Sequence, residues 1–185
     1  MELILASKSP RRKEILERLG YKFKILSYDT DETMDPHRDI KTNVLNVSYK
    51  KAQAVFEHNP EACVLGCDTV VVFNNKIYGK PKSREDAFNT LMLLNGNTHE
   101  VISAVNIITP FKTYSFTVTS LVTFKNNSID EINKYIDTKE CVDKAGSYAI
   151  QGLGANLISK YEGELDNIIG LPSKEVDEIL KEVLK

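Results

Sequence analysis

The run Cys63-Val64-Leu65-Gly66-Cys67-Asp68-Thr69-Val70-Val71-Val72-Phe73 constrains this chain more than any other segment. Its density of β-branched and apolar residues predicts the strongest strand in the sequence. Asn74-Asn75 ahead of Lys76-Ile77-Tyr78 predicts a tight hairpin after it. A strand of this composition reads as fully buried, yet Asp68 sits in its middle. An isolated carboxylate there costs several kcal/mol, roughly, unless it is paired, hydrogen-bonded or bound to a cation. The core strand and the first chemical question therefore coincide.

The other elements follow from periodicity and punctuation. Glu2 to Ala6 reads as a short buried strand. Pro10 then opens a helix with Ile15, Leu16 and Leu19 on one face, closed by Gly20. Phe23 to Leu26 resumes a strand, and Asp29 to Asp39 is an acidic, turn-rich loop before a helix over about Ile40 to His58. Ser83 to Leu94 reads as a helix capped by Ser83, with Glu85 and Asp86 in its first turn. Val101 to Ile108 and Tyr114 to Phe124 read as paired central strands. Ser128 to Tyr135 is a short capped helix, Asp143 to Gly154 a ligand-lining loop, Leu157 to Tyr161 a strand, and Pro172 to Leu184 a closing helix. The mixture implies an α/β fold with a mixed sheet.

With 185 residues, 42% hydrophobic and 27% charged, and no linker of domain-separating length, residues 1–185 are expected to form a single domain. A net charge of −2 argues against nucleic acid polymer as a ligand, so an anion must be held by a local cluster. The opening carries no charged leader and no window approaches a membrane span, which points to the cytoplasm and no membrane partner. Cys63, Cys67 and Cys141 read as reduced, buried thiols.

Several residues carry chemistry. Ser7-Lys8-Ser9-Pro10-Arg11-Arg12 runs from a strand into a helix N-terminus, where unpaired N–H groups and two guanidiniums suit phosphate. An ordinary cap with solvated arginines reads equally from the residues alone. Lys51 lies at helical spacing with Val44, Val47 and Val55, so it either snorkels or points into a cleft toward an anion, whereas Lys50 faces away. Thr69 is also compatible with simple strand chemistry, Lys80 with a solvated turn, and Glu32 with charged surface. His37, His58 and His99 have no serine or cysteine partner at a triad spacing.

Taken together, LASKSPRRKEIL, GCDTVV, GKPKSREDA, NGNTHEV, DKAGSYAIQG and NIIGLP resemble, in order and over nearly the whole chain, the Maf family of nucleotide pyrophosphatases. Asn95 and Asn97, Ala149 and Glu164-Leu165 depart from the family's commoner residues. The resemblance implies a fold similar to inosine triphosphate pyrophosphatases, with an elongated mixed sheet flanked by helices, two lobes around a cleft, and frequently a homodimer. It implies Asp68 as the proton acceptor that activates water, with Arg12, Lys51 and Lys80 on the phosphates and Ser7 and Ser9 donating from the loop. Glu32 would help Asp68 bind a divalent cation, Mg²⁺ or Mn²⁺. Arg11, Thr69 and Gln151 match the branch acting on dTTP and UTP. The implied reaction is hydrolysis of a nucleoside triphosphate to monophosphate and pyrophosphate. The alternatives are the sister activity on 7-methyl-GTP and a nucleotide-sensing regulator of cell division without catalysis.

Overall fold

A computed structural model describes the whole chain, Met1–Lys185. The strands are β1 (Leu3–Leu5), β2 (Lys24–Ile25), β3 (Cys63–Phe73), β4 (Lys76–Tyr78), β5 (Thr98–Ile108), β6 (Thr113–Phe124) and β7 (Ile158–Glu162). The helices are α1 (Pro10–Arg18), α2 (Ile40–Phe56), α3 (Arg84–Leu94), α4 (Ile129–Asp137), α5 (Leu165–Ile169) and α6 (Ser173–Val183). The strands form a mixed sheet in the order β2-β1-β3-β5-β6-β7, with β4 paired to β3. The α/β class with a mixed sheet is thus as expected.

The chain divides into two compact units, and β3, β5 and β6 each contribute to both. The first comprises Met1–Thr69, Ser103–Val118 and Gly170–Lys185; the second comprises Val70–Ile102 and Thr119–Ile169.

In the first unit β1 runs parallel to β2 and to β3, with Leu3, Ile4 and Leu5 opposite Cys63, Val64 and Leu65. Because β1 stops at Leu5 while β3 continues, Asp68 and Thr69 lie beyond the end of this parallel pairing. They are consecutive half-exposed positions in a strand that is otherwise buried from Cys63 to Val72. That is the carboxyl end of β1, where open α/β sheets place their ligands. Helix α2 begins at its N-cap Asp39, which accepts from Thr42 N, and buries Val44, Val47, Ala52 and Val55. It packs close because Gly66 lacks a side chain: a Cβ there would stand 2.5 Å from the Ser48 carbonyl oxygen and 2.8 Å from Ala52 Cβ. The helix ends at Phe56, two residues earlier than its sequence pattern suggests, and Asn59 Nδ2 donates to the Val55 carbonyl.

The second unit packs Ala87, Leu91 and Leu94 of α3 and Ile132, Tyr135 and Ile136 of α4 with Val122 and Phe124 of β6. Ser83 caps α3, and Ser128 and Glu131 form a reciprocal capping box on α4. The β3–β4 hairpin turns on Asn74 and Asn75, both at positive φ, as the Asn-Asn pair predicts. The segment 143–154 is less irregular than its glycines suggest, since 3-10 turns form over Ala145–Ser147 and Gly152–Leu157. Leu157 therefore belongs to a turn, and β7 starts at Ile158. Burial drives His99 to about 4, well below its usual value, and its Nε2 meets Tyr148 Oη at 2.7 Å.

Candidate active site

Two side-chain clusters form on the adjacent residues Asp68 and Thr69, both within the first unit. In the first, the Lys51 ammonium lies 2.7 Å from Asp68 Oδ1 and 3.1 Å from Glu32 Oε1. The side chains of Lys51 and Asp68 are 18% and 14% exposed, that of Glu32 59%. The stripe Val44-Val47-Lys51-Val55 thus aims its lysine at an anion, and that anion is the chain's own pair of carboxylates. Lys50 turns instead to the side chain of Asp31. Hydrogen bonds from Thr33, with a further one from Lys50, hold Asp31 down near 2. The acidic loop is tied down further where Asn43 Nδ2 donates to the Asp35 carbonyl and its Oδ1 accepts from Asp35 N. Glu32 therefore rides on a folded loop.

In the second cluster Arg12 engages an acceptor through each of its three nitrogens. Nε donates to the Gly170 carbonyl at 2.8 Å, Nη1 to Ser7 Oγ at 3.1 Å and Nη2 to Thr69 Oγ1 at 3.2 Å. Ser7 Oγ also accepts from Ser9 N, which fixes the loop between β1 and α1. Ser9 does not cap the helix: it occupies the N-cap position without a side-chain cap bond, and Pro10 follows. The start of α1 is thus left to other acceptors, the arrangement that favours an anion. Burial pushes the Cys67 thiol up against the opposing pull of Arg12 and Lys51, so the thiol stays protonated and suits no nucleophilic role. All three cysteines are free and buried.

The first unit therefore brings together Ser7, Ser9, Arg12, Glu32, Lys51, Asp68 and Thr69, and carries Arg11 half-buried on the first turn of α1. Lys80, between β4 and α3, and Gln151, ahead of the second 3-10 turn, are exposed residues of the second unit. Two participants escaped the sequence reading. Ser103 Oγ lies 2.8 Å from Thr69 Oγ1, and the Gly170 carbonyl receives Arg12 Nε. Gly170 stood inside the NIIGLP motif without a role; nothing distinguished Ser103 from an ordinary strand serine.

The donor set bears on a cation. Asp68 and Glu32 converge on one ammonium, so their carboxylate oxygens lie close enough together to share a cation. Mg²⁺ characteristically takes only one or two protein carboxylates and fills its remaining positions with water and phosphate oxygens. No cluster of three or more His, Cys, Asp or Glu side chains offers an all-protein cage. Asp68 and Glu32 fit a shared ion of that kind.

The fold is α/β with a mixed sheet, and the candidate site lies at the end of a parallel strand pair. The Ham1 protein of Staphylococcus aureus has a similar fold, with a TM-score of 0.57 at 15% identity over 98% of this chain and 99% of that one. The chain belongs to the Maf-like protein family, whose pattern it matches over residues 2–183. Among its relatives, the dTTP/UTP pyrophosphatase of Bacillus velezensis is 43% identical over 180 residues, 97% of this chain and 95% of that protein. The dTTP/UTP pyrophosphatase of Vibrio parahaemolyticus is 42% identical over 185 residues, 100% of this chain and 98% of that protein. No helix is long and apolar enough to cross a membrane.

Proposed function

We propose that residues 1–185 act as one catalytic domain that hydrolyses dTTP and UTP to the monophosphate and pyrophosphate. The observation that carries this reading is Asp68: a carboxylate on a buried strand, 2.7 Å from a lysine shared with Glu32, next to the threonine that engages Arg12. The full-length relatives named dTTP/UTP pyrophosphatase supply the substrate.

A triphosphate carries close to four negative charges, and water cannot approach its α-phosphorus until they are countered. Arg12, the first turn of α1 and Lys80 provide positive charge for them. Asp68 takes the proton from the attacking water, while Lys51 fixes the Oδ1 end of its carboxylate. Ser7 and Ser9 shape the loop that faces the phosphates. A divalent cation, Mg²⁺ or Mn²⁺, held by Asp68 and Glu32 supplies Lewis-acid polarisation of the phosphate when bound. Arg11 and Gln151 read the base, with the glutamine amide offering the donor and acceptor that a pyrimidine edge with O4 and N3–H requires. The reaction needs positioning and charge, with no covalent intermediate.

Release of pyrophosphate from a panel of dTTP, UTP, dATP, dGTP and 7-methyl-GTP tests the reading. Turnover is expected for dTTP and UTP well ahead of the rest. Equal or faster turnover of 7-methyl-GTP would overturn the substrate assignment, and no turnover of any of them the enzymatic one.

A further inference from the structure

We propose that Glu140 and Tyr135 are positioning residues that tie down the loop carrying Gln151, so that recognition of the pyrimidine depends on both. The inference rests on the reading of Gln151 as a residue that meets the base.

Every part of this arrangement lies in the second unit. Gln151 is exposed and occupies the N-cap position of the 3-10 turn Gly152–Leu157 without a side-chain cap bond. The first amides of such a turn need acceptors from elsewhere. One carboxylate supplies them: Leu153 N donates to Glu140 Oε1 at 3.1 Å and Gly154 N to Glu140 Oε2 at 2.9 Å. On the other side of Gln151, Ala149 N donates to Tyr135 Oη at 3.0 Å. Gly154 closes the loop on itself, since a Cβ there would overlap the Ala149 carbonyl. Gln151 therefore stands in a closed loop, 149–154, that is tied on both sides. The anchors are themselves held. Tyr135 is buried in the core beside Ile132 and Ile136. Burial, with a further contribution from its hydrogen bond to Glu140, pushes the Tyr135 phenol up, so the hydroxyl keeps its proton and joins the two ties. Glu140 follows Lys139, which is at positive φ, and its own amide donates to Thr138 Oγ1 at 3.3 Å. Gly152 stands at φ +66°, and a Cβ on it would run into Glu140 Oε1, so the carboxylate fits only against a glycine. Both bonds from the turn end on a charged acceptor, the stronger kind of hydrogen bond. A loop ordered before the ligand arrives spares nucleotide binding the cost of ordering it.

The test keeps the shape of the clamp and removes its charge. Glu140→Gln sets an NH₂ group against one of the two amides, and loss of a hydrogen bond to a charged group corresponds to about a tenfold effect. Calorimetry in Mg²⁺ buffer with the α,β-imido analogue of dTTP should show affinity weakened about tenfold. Inorganic tripolyphosphate, which carries no base, should bind wild type and variant within about twofold of each other. Tyr135→Phe, which releases only the Ala149 amide, should weaken the analogue by about threefold and leave tripolyphosphate unchanged. In a Gln151→Ala background Glu140→Gln should change analogue affinity by less than about twofold, because the positioned side chain is already gone. Unchanged analogue affinity in the two folded variants, equal weakening of tripolyphosphate, or an effect of full size in the Gln151→Ala background would each overturn the proposal. A lowered Tm with the ratio of analogue to tripolyphosphate affinity unchanged would mark a purely structural clamp and overturn it as well. A wild-type protein that binds the analogue but hydrolyses no dTTP would refute the proposed activity and leave the binding arms to decide this inference. A wild type that binds the thymine analogue and its guanine counterpart alike would sink the inference itself.

Discussion

Replacing Lys51 with methionine keeps the apolar stem and discards only the ammonium, so it isolates the charge that joins Glu32 to Asp68. At an effective dielectric of about 20, a contact of 2.7 Å corresponds to roughly 6 kcal/mol of attraction before desolvation. The two side chains are only 18% and 14% exposed, so a large part of that is offset by the cost of burying them. The Glu32 contact, with its carboxylate 59% exposed, is worth no more than about 1 kcal/mol. Net destabilisation of Lys51→Met is therefore about 1–3 kcal/mol, a fall in Tm of about 3–10 °C for a chain of this length. An unpaired inward lysine would give the opposite sign, since its removal relieves a buried charge. Converting Asp68 to asparagine in the same chain removes the carboxylate left without its partner. The double variant should recover stability relative to the sum of the two single changes, with a coupling of about 1–3 kcal/mol. Urea denaturation of the four proteins measures this, and dTTP hydrolysis by Lys51→Met should fall on the order of 100-fold. Additive stability changes together with wild-type turnover would refute both the structural and the functional role of the pair.

Three further outcomes follow from the packing and the charge distribution. His99 is held near 4 in the folded protein against about 6.5 when exposed, so below pH 6.5 the unfolded chain binds a proton that the folded one excludes. Stability should be at its full value above pH 6.5 and fall by about 2–3 kcal/mol on going to pH 4.5, and in His99→Phe this part of the slope, read by urea titration, should vanish. Gly66→Ala forces a Cβ to within 2.5 Å of a backbone carbonyl, so α2 must shift; a loss of about 1–3 kcal/mol is expected, and unchanged stability would show that α2 does not need that close approach. Gln151→Glu should lower kcat/KM for dTTP by roughly ten- to a hundredfold by facing a carboxylate to the O4 acceptor, and an unchanged ratio of dTTP to 7-methyl-GTP turnover would show that Gln151 does not read the base.

What the sequence disclosed and withheld has local causes. β3 was legible at both ends because a β-branched run met an Asn-Asn turn, and Asp68 declared itself by breaking that run. Lys51 declared itself in the same way, as a charge on an apolar stripe. That these charges pair was not legible, because Glu32 and Asp68 stand on other segments and meet Lys51 only when α2 packs over Gly66. Ser103 was silent for a related reason: a small hydroxyl in a buried strand is unremarkable until the sheet sets it beside Thr69. Helix α5 was missed because Leu165–Ile169 makes barely more than one turn, too short for a 3.6-residue period to show. Ser9 stands at the N-cap position of α1 yet its side chain makes no cap hydrogen bond, an outcome that residue type alone does not decide.

Asp68 is proposed to activate water for attack on a pyrimidine nucleoside triphosphate. Asp68→Asn keeps the shape of the side chain and removes the base, and a positioned general base contributes on the order of 10²-fold or more. The direct measurement is the release of pyrophosphate and dTMP from dTTP by the wild-type protein and by Asp68→Asn, with folding of both checked by thermal denaturation. The wild type is predicted to yield the two products in equal amounts with no orthophosphate, and the variant to be slower by about 100-fold or more while still binding the nucleotide. A folded variant retaining more than about a tenth of the wild-type rate, or orthophosphate as the wild-type product, would contradict the account.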